Sequence, residues 1–186
     1  MNGPQLTPPD LQRLETPEGC LAVEMPLSLL DGASFIEGDP EGLRLRVRMF
    51  VRESDKRMIA KVWFGPHAEG PPGHAHGGAS AAVLDHAMGV GTWLAGYPVL
   101  SARITIDYHH KVPLGHVLTV ESWVEEVAGK KVSAKGRLFG DDPNRCYTTG
   151  SGLFILQRLE NLAPVQGHGE RLRSHMVGDP VERDEE

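Results

Sequence analysis

The sequence predicts an α+β domain in which one helix covers one face of an antiparallel sheet. Several segments alternate apolar and polar residues with a period of two, which is typical of half-buried strands. Only residues 77–96 space their apolar side chains as a helix does. The strands that follow this helix come at hairpin spacing, so the sheet is antiparallel and the helix lies on one of its faces.

The strands can be located in order from their alternation and from the turn residues between them. The predicted strand segments are 41–53, 57–66, 100–112, a hairpin over 116–140 that turns at Gly129, and 145–159. Within residues 100–112, Ile104, Ile106 and Tyr108 share one predicted face. Residues 20–39 are ambiguous, and could hold either a short helix or a first strand.

Both ends of the chain are polar or rich in proline. Residues 1–19 predict a flexible N-terminal segment, with one helical turn around "PPDLQRLE". Residues 160–186 are polar, end in acids, and predict a disordered tail. One domain is therefore expected over residues 20–159, which is an ordinary domain size.

The composition excludes several classes of protein. A net charge of −6 disfavours a general nucleic-acid binder. The two cysteines are too few for a disulfide framework and lack metal-ligand spacing. No apolar run is long enough to cross a membrane, and the first residues do not have the layout of a signal peptide. The expectation is a cytoplasmic protein with neither nucleic-acid nor membrane partners.

Two features make the predicted helix a candidate site. It opens with Gly77 and Gly78, whose backbone N–H groups have no partner within the helix and no side chains to screen them. Such donors suit an oxyanion hole, which needs N–H groups aimed at a developing negative oxygen. The second feature is Asp85, a carboxylate within an otherwise apolar helical run. A solvated helix face or a structural hydrogen bond is the alternative explanation for it.

The spacing of His76 and Asp85 bears on how a site could be built. Nine residues of helix correspond to about 13.5 Å of rise and half a revolution, so the two side chains would point in opposite directions. Either His76 lies before the helix, or the site takes partners from a second copy of the chain. A curved sheet around one helix leaves bare edges and apolar surface, which also predicts self-association.

These residues carry a family resemblance. "HGGASAAVLDHAMG", residues 76–89, resembles the His-Gly-Gly…Asp signature of hotdog-fold acyl-CoA thioesterases, of the phenylacetic-acid-pathway and mammalian thioesterase-superfamily types. "SARITIDYHHKVPLGHVLTVESWV" resembles the strand of that family with its Tyr…Pro-Leu-Gly exit. The resemblance covers about residues 33–157. It implies a hotdog fold, a long central helix wrapped by a curved antiparallel sheet, with active sites at the interface of dimers that often pair into tetramers.

The resemblance also implies roles for individual residues. Asp85 would act as the general base, or as the nucleophile, on a thioester. The backbone N–H of Gly77 or Gly78 would hold the thioester oxygen, and His76 would help to order the site. Ser101 would help to place the water. Asp85 and Ser101 would come from one chain and the glycine pair from the other.

Two departures from the family pattern concern how the substrate is held. Gly-Pro-Pro-Gly at residues 70–73 replaces the Asn or Gln that many relatives carry near Gly70, and Lys111 stands where many have proline. The implied substrate is an acyl-CoA thioester, with no further cofactor. The candidates to bind its phosphates are basic residues, although ordinary solvated strand charge explains any one of them equally well: Arg103, His109, His110, Lys111, Lys130 and Lys131.

Other functions remain open at this point. A non-catalytic acyl-CoA-binding module could use the same fold, since a fold does not determine function. A metal-dependent enzyme is a further alternative, because His74 and His76 in "HAH" could share an ion. No Glu or third His lies at a recognised ligand spacing in that element, so the prediction is that the chain has no metal site.

Overall fold

The computed structural model describes residues 6–23, 34–36, 39 and 41–158, and shows one α-helix lying on a seven-stranded antiparallel sheet. The sheet has the strand order β1-β2-β3-β5-β6-β7-β4. The elements are β1 (Cys20–Val23), β2 (Leu45–Arg52), β3 (Met58–Phe64), α1 (Gly77–Leu94), β4 (Val99–Tyr108), β5 (Val117–Ala128), β6 (Lys131–Phe139) and β7 (Cys146–Leu156). This is the predicted α+β hotdog arrangement.

The elements predicted from alternation are confirmed, with ends that differ by a few residues. Gly129 sits at the turn between β5 and β6 with φ +61°, a backbone conformation that favours glycine. The ambiguous segment 20–39 begins with the strand β1, and its residues 24–33 lie outside the described part of the chain. The predicted tail, residues 160–186, also lies outside it.

The core lies between α1 and the inner face of the sheet. Leu84 and Met88 of α1 are fully buried there. Gly91 faces β5 so closely that an added Cβ would lie 2.7 Å from Ser122 Oγ, and that hydroxyl donates a hydrogen bond to the Ala87 carbonyl at 2.7 Å. The small helix residues that the sequence places here therefore allow the close approach of helix and sheet.

The N-terminal segment forms the predicted helical turn, as a 3₁₀ turn over Leu11–Arg13. Leu11 is buried, and its carbonyl accepts a hydrogen bond from Arg48 Nη1 of β2 at 3.0 Å. The flexibility expected for residues 1–19 stays a prediction. Among the described residues, none of the helices combines the length and the apolar character that a membrane crossing needs.

Strand β4 lies at one end of the sheet, where it pairs with β7 along one side only. Apolar side chains on it are exposed, with 54% of Leu100, 37% of Ile104 and 56% of Tyr108 open to solvent. A free strand edge with exposed apolar residues is a surface that natural proteins usually cover. The described part of the chain therefore has one long, unpaired edge beside the candidate site.

Candidate active site

Asp85 faces β4 from the middle of α1. Its side chain is half-buried, and Ser101 Oγ donates a hydrogen bond to Asp85 Oδ1 at 2.9 Å. A carboxylate has two oxygens and several lone pairs, so one hydroxyl donor leaves most of its accepting capacity free. The predicted pairing of Asp85 with Ser101 in one chain agrees with this geometry.

A β-bulge is what turns Ser101 toward the helix. Ser101 pairs with Phe154 and Arg103 pairs with the next residue, Leu153, so Ala102 is extra. Phe154 is fully buried in the core, which puts Ser101 on the helix face, as the alternation puts Ile104 there. Regular alternation would have placed Ser101 on the same face as Arg103, away from Asp85.

The start of α1 has the open character that the sequence predicts, with one donor already used. His76 is the N-cap residue, and its Nδ1 accepts a hydrogen bond from Gly78 N at 2.9 Å. Ala79 N donates to the His76 carbonyl at 2.9 Å. The first amide, Gly77 N–H, has no partner within the helix at this position. Of the two predicted donors, Gly77 is therefore the one that a substrate oxygen can reach.

The two halves of the site lie far apart within one chain. Gly77 and Asp85 are eight residues apart on α1, which corresponds to about 12 Å along the helix axis. His76 lies before the helix, the first of the two arrangements that its spacing left open. One chain thus brings together Asp85 with Ser101, and separately His76 with the glycine pair.

The Gly-Pro-Pro-Gly departure forms a closed turn that supports His76. Gly73 N donates to Glu69 Oε1 at 2.8 Å, and His76 N donates to the Ala68 carbonyl at 2.8 Å. Gly70 lies against His76, since an added Cβ there would come within 2.7 Å of the His76 Cα. His74 Nδ1 contacts the Pro72 carbonyl at 2.8 Å, so this histidine belongs to the turn.

The basic candidates fall in separate places. Arg103 lies on the face of β4 opposite Ser101, as the bulge requires. His109 follows β4, with its Nε2 2.8 Å from Thr149 Oγ1, and exposed His110 and Lys111 come next in the chain. The third place is the exposed β5–β6 turn, which carries Lys130 and Lys131. The described chain does not bring the six together, and their role in CoA binding stays a prediction.

The described ranges contain no group of three or more His, Cys, Asp or Glu side chains placed to share a metal ion. The two imidazoles of "HAH" make separate local contacts, His74 with the Pro72 carbonyl and His76 with Gly78 N. The prediction of no metal site stays a prediction.

A second carboxylate, Glu121 of β5, was not singled out from the sequence. It is only 3% exposed and lies among Arg52, Arg57 and Arg137. Burial raises the pKa of Glu121, but hydrogen bonds from Arg137, Arg52 and Arg57 and the charge of Arg137 outweigh this, so the pKa lies below its usual value. Because Ser122 faces the helix, neighbouring Glu121 faces the other side of the sheet, away from Asp85.

Tyr108 is a further residue near the site that the sequence did not assign. Its hydroxyl donates a hydrogen bond to the Gly77 carbonyl at 3.2 Å. The predicted face shared by Ile104, Ile106 and Tyr108 was the available signal, because that face lies toward the helix.

Comparison with known proteins agrees with this geometry. Residues 72–147 match the model of the thioesterase superfamily, a segment that holds the first turn of α1, Asp85 and Ser101. This segment of the chain is therefore similar to the thioesterase superfamily. The chain is 34% identical over 117 residues to acyl-coenzyme A thioesterase THEM4 of Xenopus laevis, covering 63% of this chain and 53% of that protein. The chain spans about half the length of the curated relatives it matches.

Solved structures share the architecture of the described chain. A crystal structure of a thioesterase superfamily protein is 29% identical, with a TM-score of 0.59 over 64% of this chain and 58% of that chain. Zebrafish thioesterase superfamily member 2 is 15% identical, with a TM-score of 0.56 over 68% of this chain and 90% of that chain. The second likeness supports the fold alone.

Proposed function

We propose that this chain hydrolyses acyl-CoA thioesters to a free acid and CoA, with no other cofactor. The observation that carries the proposal is the half-buried Asp85, bound through one oxygen to Ser101 and otherwise free to accept a proton. The open amide of Gly77 supplies a donor of the kind that thioester chemistry needs. Relatives named acyl-coenzyme A thioesterase, at 34% and 32% identity, support the same reaction.

In the proposed reaction Asp85 takes a proton from a water molecule, whose oxygen attacks the thioester carbonyl carbon. The Ser101 hydroxyl, which donates to Asp85, can accept a hydrogen bond from that water and so hold it in place. The carbonyl oxygen gains negative charge, which Gly77 N–H stabilises. The C–S bond then breaks, and the CoA sulfur takes the proton from Asp85 and leaves as a thiol.

Asp85 could instead attack the carbonyl itself and form a mixed anhydride that water then cleaves. A single turnover in ¹⁸O-labelled water identifies an anhydride that water cleaves at its Asp85 carbonyl, because only that route labels the protein. A general base puts the label in the free acid, whereas water attack on the Asp85 carbonyl of an anhydride puts the label in the protein. Mass measurement of both products reads the result.

We further propose that two copies of the chain complete each site, as a homodimer or a dimer of dimers. One thioester carbonyl cannot contact Asp85 and Gly77 of the same chain across about 12 Å. The unpaired edge of β4, with Leu100, Ile104 and Tyr108 exposed, offers a surface beside the site for a second copy. Asp85 and Ser101 would then face the Gly77 amide of the partner.

A pair of substitutions at Gly77 tests the oxyanion role. Gly77→Pro removes the N–H and adds the carbons of the proline ring, and proline is favoured at the first position of a helix. His76 has ψ 139°, which suits a residue before proline. Gly77→Ala is the matched control, because it adds a Cβ and keeps the N–H. We expect the proline variant to have a kcat about 10² to 10³ lower than the alanine variant.

The assay is thiol release from short-, medium-, long-chain and aryl acyl-CoAs. Hydrolysis of at least one class by the wild-type protein, with the expected loss in Gly77→Pro, supports the proposal. Equal rates in the two Gly77 variants would overturn the oxyanion role. Binding of every acyl-CoA without thiol release would overturn hydrolysis, and would leave the non-catalytic acyl-CoA-binding module as the function.

The basic residues are proposed to bind the phosphates of CoA, and their separate locations make this testable. Lys130→Ala with Lys131→Ala removes charge at the β5–β6 turn, whereas His109→Ala with Lys111→Ala removes charge after β4. Removing the group that binds the phosphates should raise KM and leave kcat unchanged, because that group binds substrate and transition state equally. Unchanged KM in both double variants would show that neither group contributes.

A further inference from the structure

Tyr108 contacts the backbone on which the proposed oxyanion donor lies. This strand-end tyrosine is 56% exposed, yet its hydroxyl donates a hydrogen bond to the Gly77 carbonyl at 3.2 Å. Its ring also lies over the helix start, because a Cβ added to Gly77 would come within 3.3 Å of the ring. An exposed tyrosine contributes little to the core, so its packing alone does not account for this contact.

The peptide between Gly77 and Gly78 is held at both ends. On one side Gly78 N–H donates to His76 Nδ1 at 2.9 Å. On the other side the Gly77 carbonyl accepts from Tyr108 Oη at 3.2 Å and from Ser80 Oγ at 2.9 Å. Two glycines would otherwise give this turn more backbone freedom than any other residue pair. Three side chains, those of His76, Tyr108 and Ser80, therefore fix the peptide that follows the Gly77 N–H.

Fixing this peptide matters for the proposed reaction. An oxyanion donor lowers the barrier when it already points at the position that the charged oxygen will occupy. Small misplacements of groups that touch the reacting atoms can cost large factors in rate. The neighbouring His76–Gly77 peptide carries the donor, and its carbonyl is held by Ala79 N–H at 2.9 Å. Tyr108 restrains the next peptide, so it acts on the donor through Gly77.

We infer that Tyr108 is a positioning residue for the Gly77 amide, an inference that rests on the proposed thioesterase function. Among the described residues, the hydroxyl of Tyr108 contacts Gly77, whereas Asp85 and Ser101 contact each other. Loss of Tyr108 should therefore reduce transition-state stabilisation and leave the base intact. A Cβ at Gly77 would lie 3.3 Å from the Tyr108 ring, so the exposed ring would have to shift by only a few tenths of an ångström to accept the alanine of the Gly77→Ala control.

Three variants test the inference in the full chain. Tyr108→Phe removes the hydroxyl and keeps the ring, Tyr108→Leu removes both, and Tyr147→Phe is the matched control. Tyr147 lies on β7 next to Thr148, the strand partner of Tyr108, but its ring packs against Gly140, 3.5 Å from where a Cβ would be, and not against Gly77. The readouts are kcat, KM and the pH–rate profile with the best acyl-CoA substrate, together with thermal melts.

For Tyr108→Phe we expect kcat to fall about 10-fold, less than for loss of the donor itself, with KM nearly unchanged. The pH–rate profile should keep its shape, because the Asp85–Ser101 pair is unchanged. The kcat of Tyr108→Leu should fall further, and the kcat of Tyr147→Phe should match that of the wild type. Tyr108→Phe and Tyr147→Phe keep their aromatic rings, so both should melt near the wild-type temperature.

The outcomes separate the inference from the function on which it rests. An inactive wild-type chain would refute the proposed function. An active wild type with unchanged kcat in Tyr108→Phe would overturn the positioning role alone, and so would a rise in KM with unchanged kcat. If Tyr108→Leu melts early, Tyr108→Phe still decides the question, because it keeps the ring contact.

Discussion

Two carboxylates on opposite sides of the same sheet show how differently this chain uses an acid. Glu121 is 3% exposed, and Arg52, Arg57 and Arg137 contact both of its oxygens. Asp85 is half-buried, and one hydroxyl contacts one of its oxygens. A carboxylate surrounded by cations is held in its charged form and cannot readily take a proton. Asp85 keeps lone pairs free, which is what a base requires.

This contrast fits a stabilising role for Glu121 and the proposed catalytic role for Asp85. Arg57 also stacks on Trp123 at 4.6 Å, and Arg137 on Phe139 at 4.9 Å, so the guanidinium groups around Glu121 are fixed from several sides. The surroundings of Asp85 have no such cation in the described residues. The number of hydrogen-bond donors that contact each carboxylate, rather than burial alone, distinguishes Glu121 from Asp85.

Removing the base is the largest expected effect. Asp85→Asn keeps the shape and a hydrogen-bonding oxygen for Ser101 but loses the proton acceptor. The rate of acyl-CoA hydrolysis should fall about 10²- to 10⁴-fold. The melting temperature should stay close to the wild type, because the side chain is half-buried and makes one hydrogen bond. Wild-type rates in Asp85→Asn would remove the contrast between the two acids.

Neutralising the other acid should have the opposite signature. Glu121→Gln leaves three arginines close together without their shared counter-charge, and should destabilise the fold by about 2 kcal/mol. Hydrolysis by the protein that remains folded should match the wild type. Urea unfolding measures the free energy of unfolding, and Lys135→Gln is a control, because its partner Glu125 lies on the surface. A stable Glu121→Gln variant with lowered kcat would contradict the assignment.

Removing the hydroxyl that holds the base is expected to have a smaller effect. Ser101→Ala leaves Asp85 without its one donor and the water without its proposed acceptor. We expect about a 10-fold loss in kcat, the usual scale for one hydrogen bond to a charged group. Ser101→Thr keeps the hydroxyl and should recover most of the activity. Failure of the threonine variant would show that the space around Ser101, not its hydroxyl, is what matters.

The pH dependence of stability follows from the carboxylates that contact Arg52, which are Glu121 and Asp55. The pKa of Glu121 and the pKa of Asp55 both lie below their usual values, Asp55 mainly because Arg52 donates to it. A lowered pKa stabilises the folded chain above the ordinary carboxyl pKa of about 4, and this contribution is lost as pH falls through the folded value. The melting temperature should therefore drop below about pH 4, and less steeply in Glu121→Gln.

The sequence predicts the fold well because period-two alternation and a single helical segment leave few alternatives. It also marks Asp85 as a candidate site residue, because an acid within an apolar helical segment is visible in the sequence itself. It does not predict the bulge at Ala102, and without that bulge Ser101 would face away from Asp85. A single extra residue in a strand changes the face of the side chain, and no local pattern in the sequence marks it.

The remaining site features depend on contacts between distant segments. The arginines around Glu121 come from β2, from the residue before β3 and from β6, so only the pairing of these strands with one another and with β5 brings them together. Gly78 N–H was expected to be available, yet His76 occupies it, because the imidazole folds back over the helix start. Rotamers and strand pairing decide these details, and the order of residues along one segment does not contain them.

Mixing two inactive variants tests most directly whether Asp85 works with the Gly77 amide of a second chain. Asp85→Asn and Gly77→Pro, co-expressed with different tags and purified together as mixed dimers, each carry one intact half. If sites form across the interface, each mixed dimer regains one intact site, about half of the wild-type activity. If each site forms within one chain, neither chain is complete and the mixed dimers stay inactive, which would contradict the account.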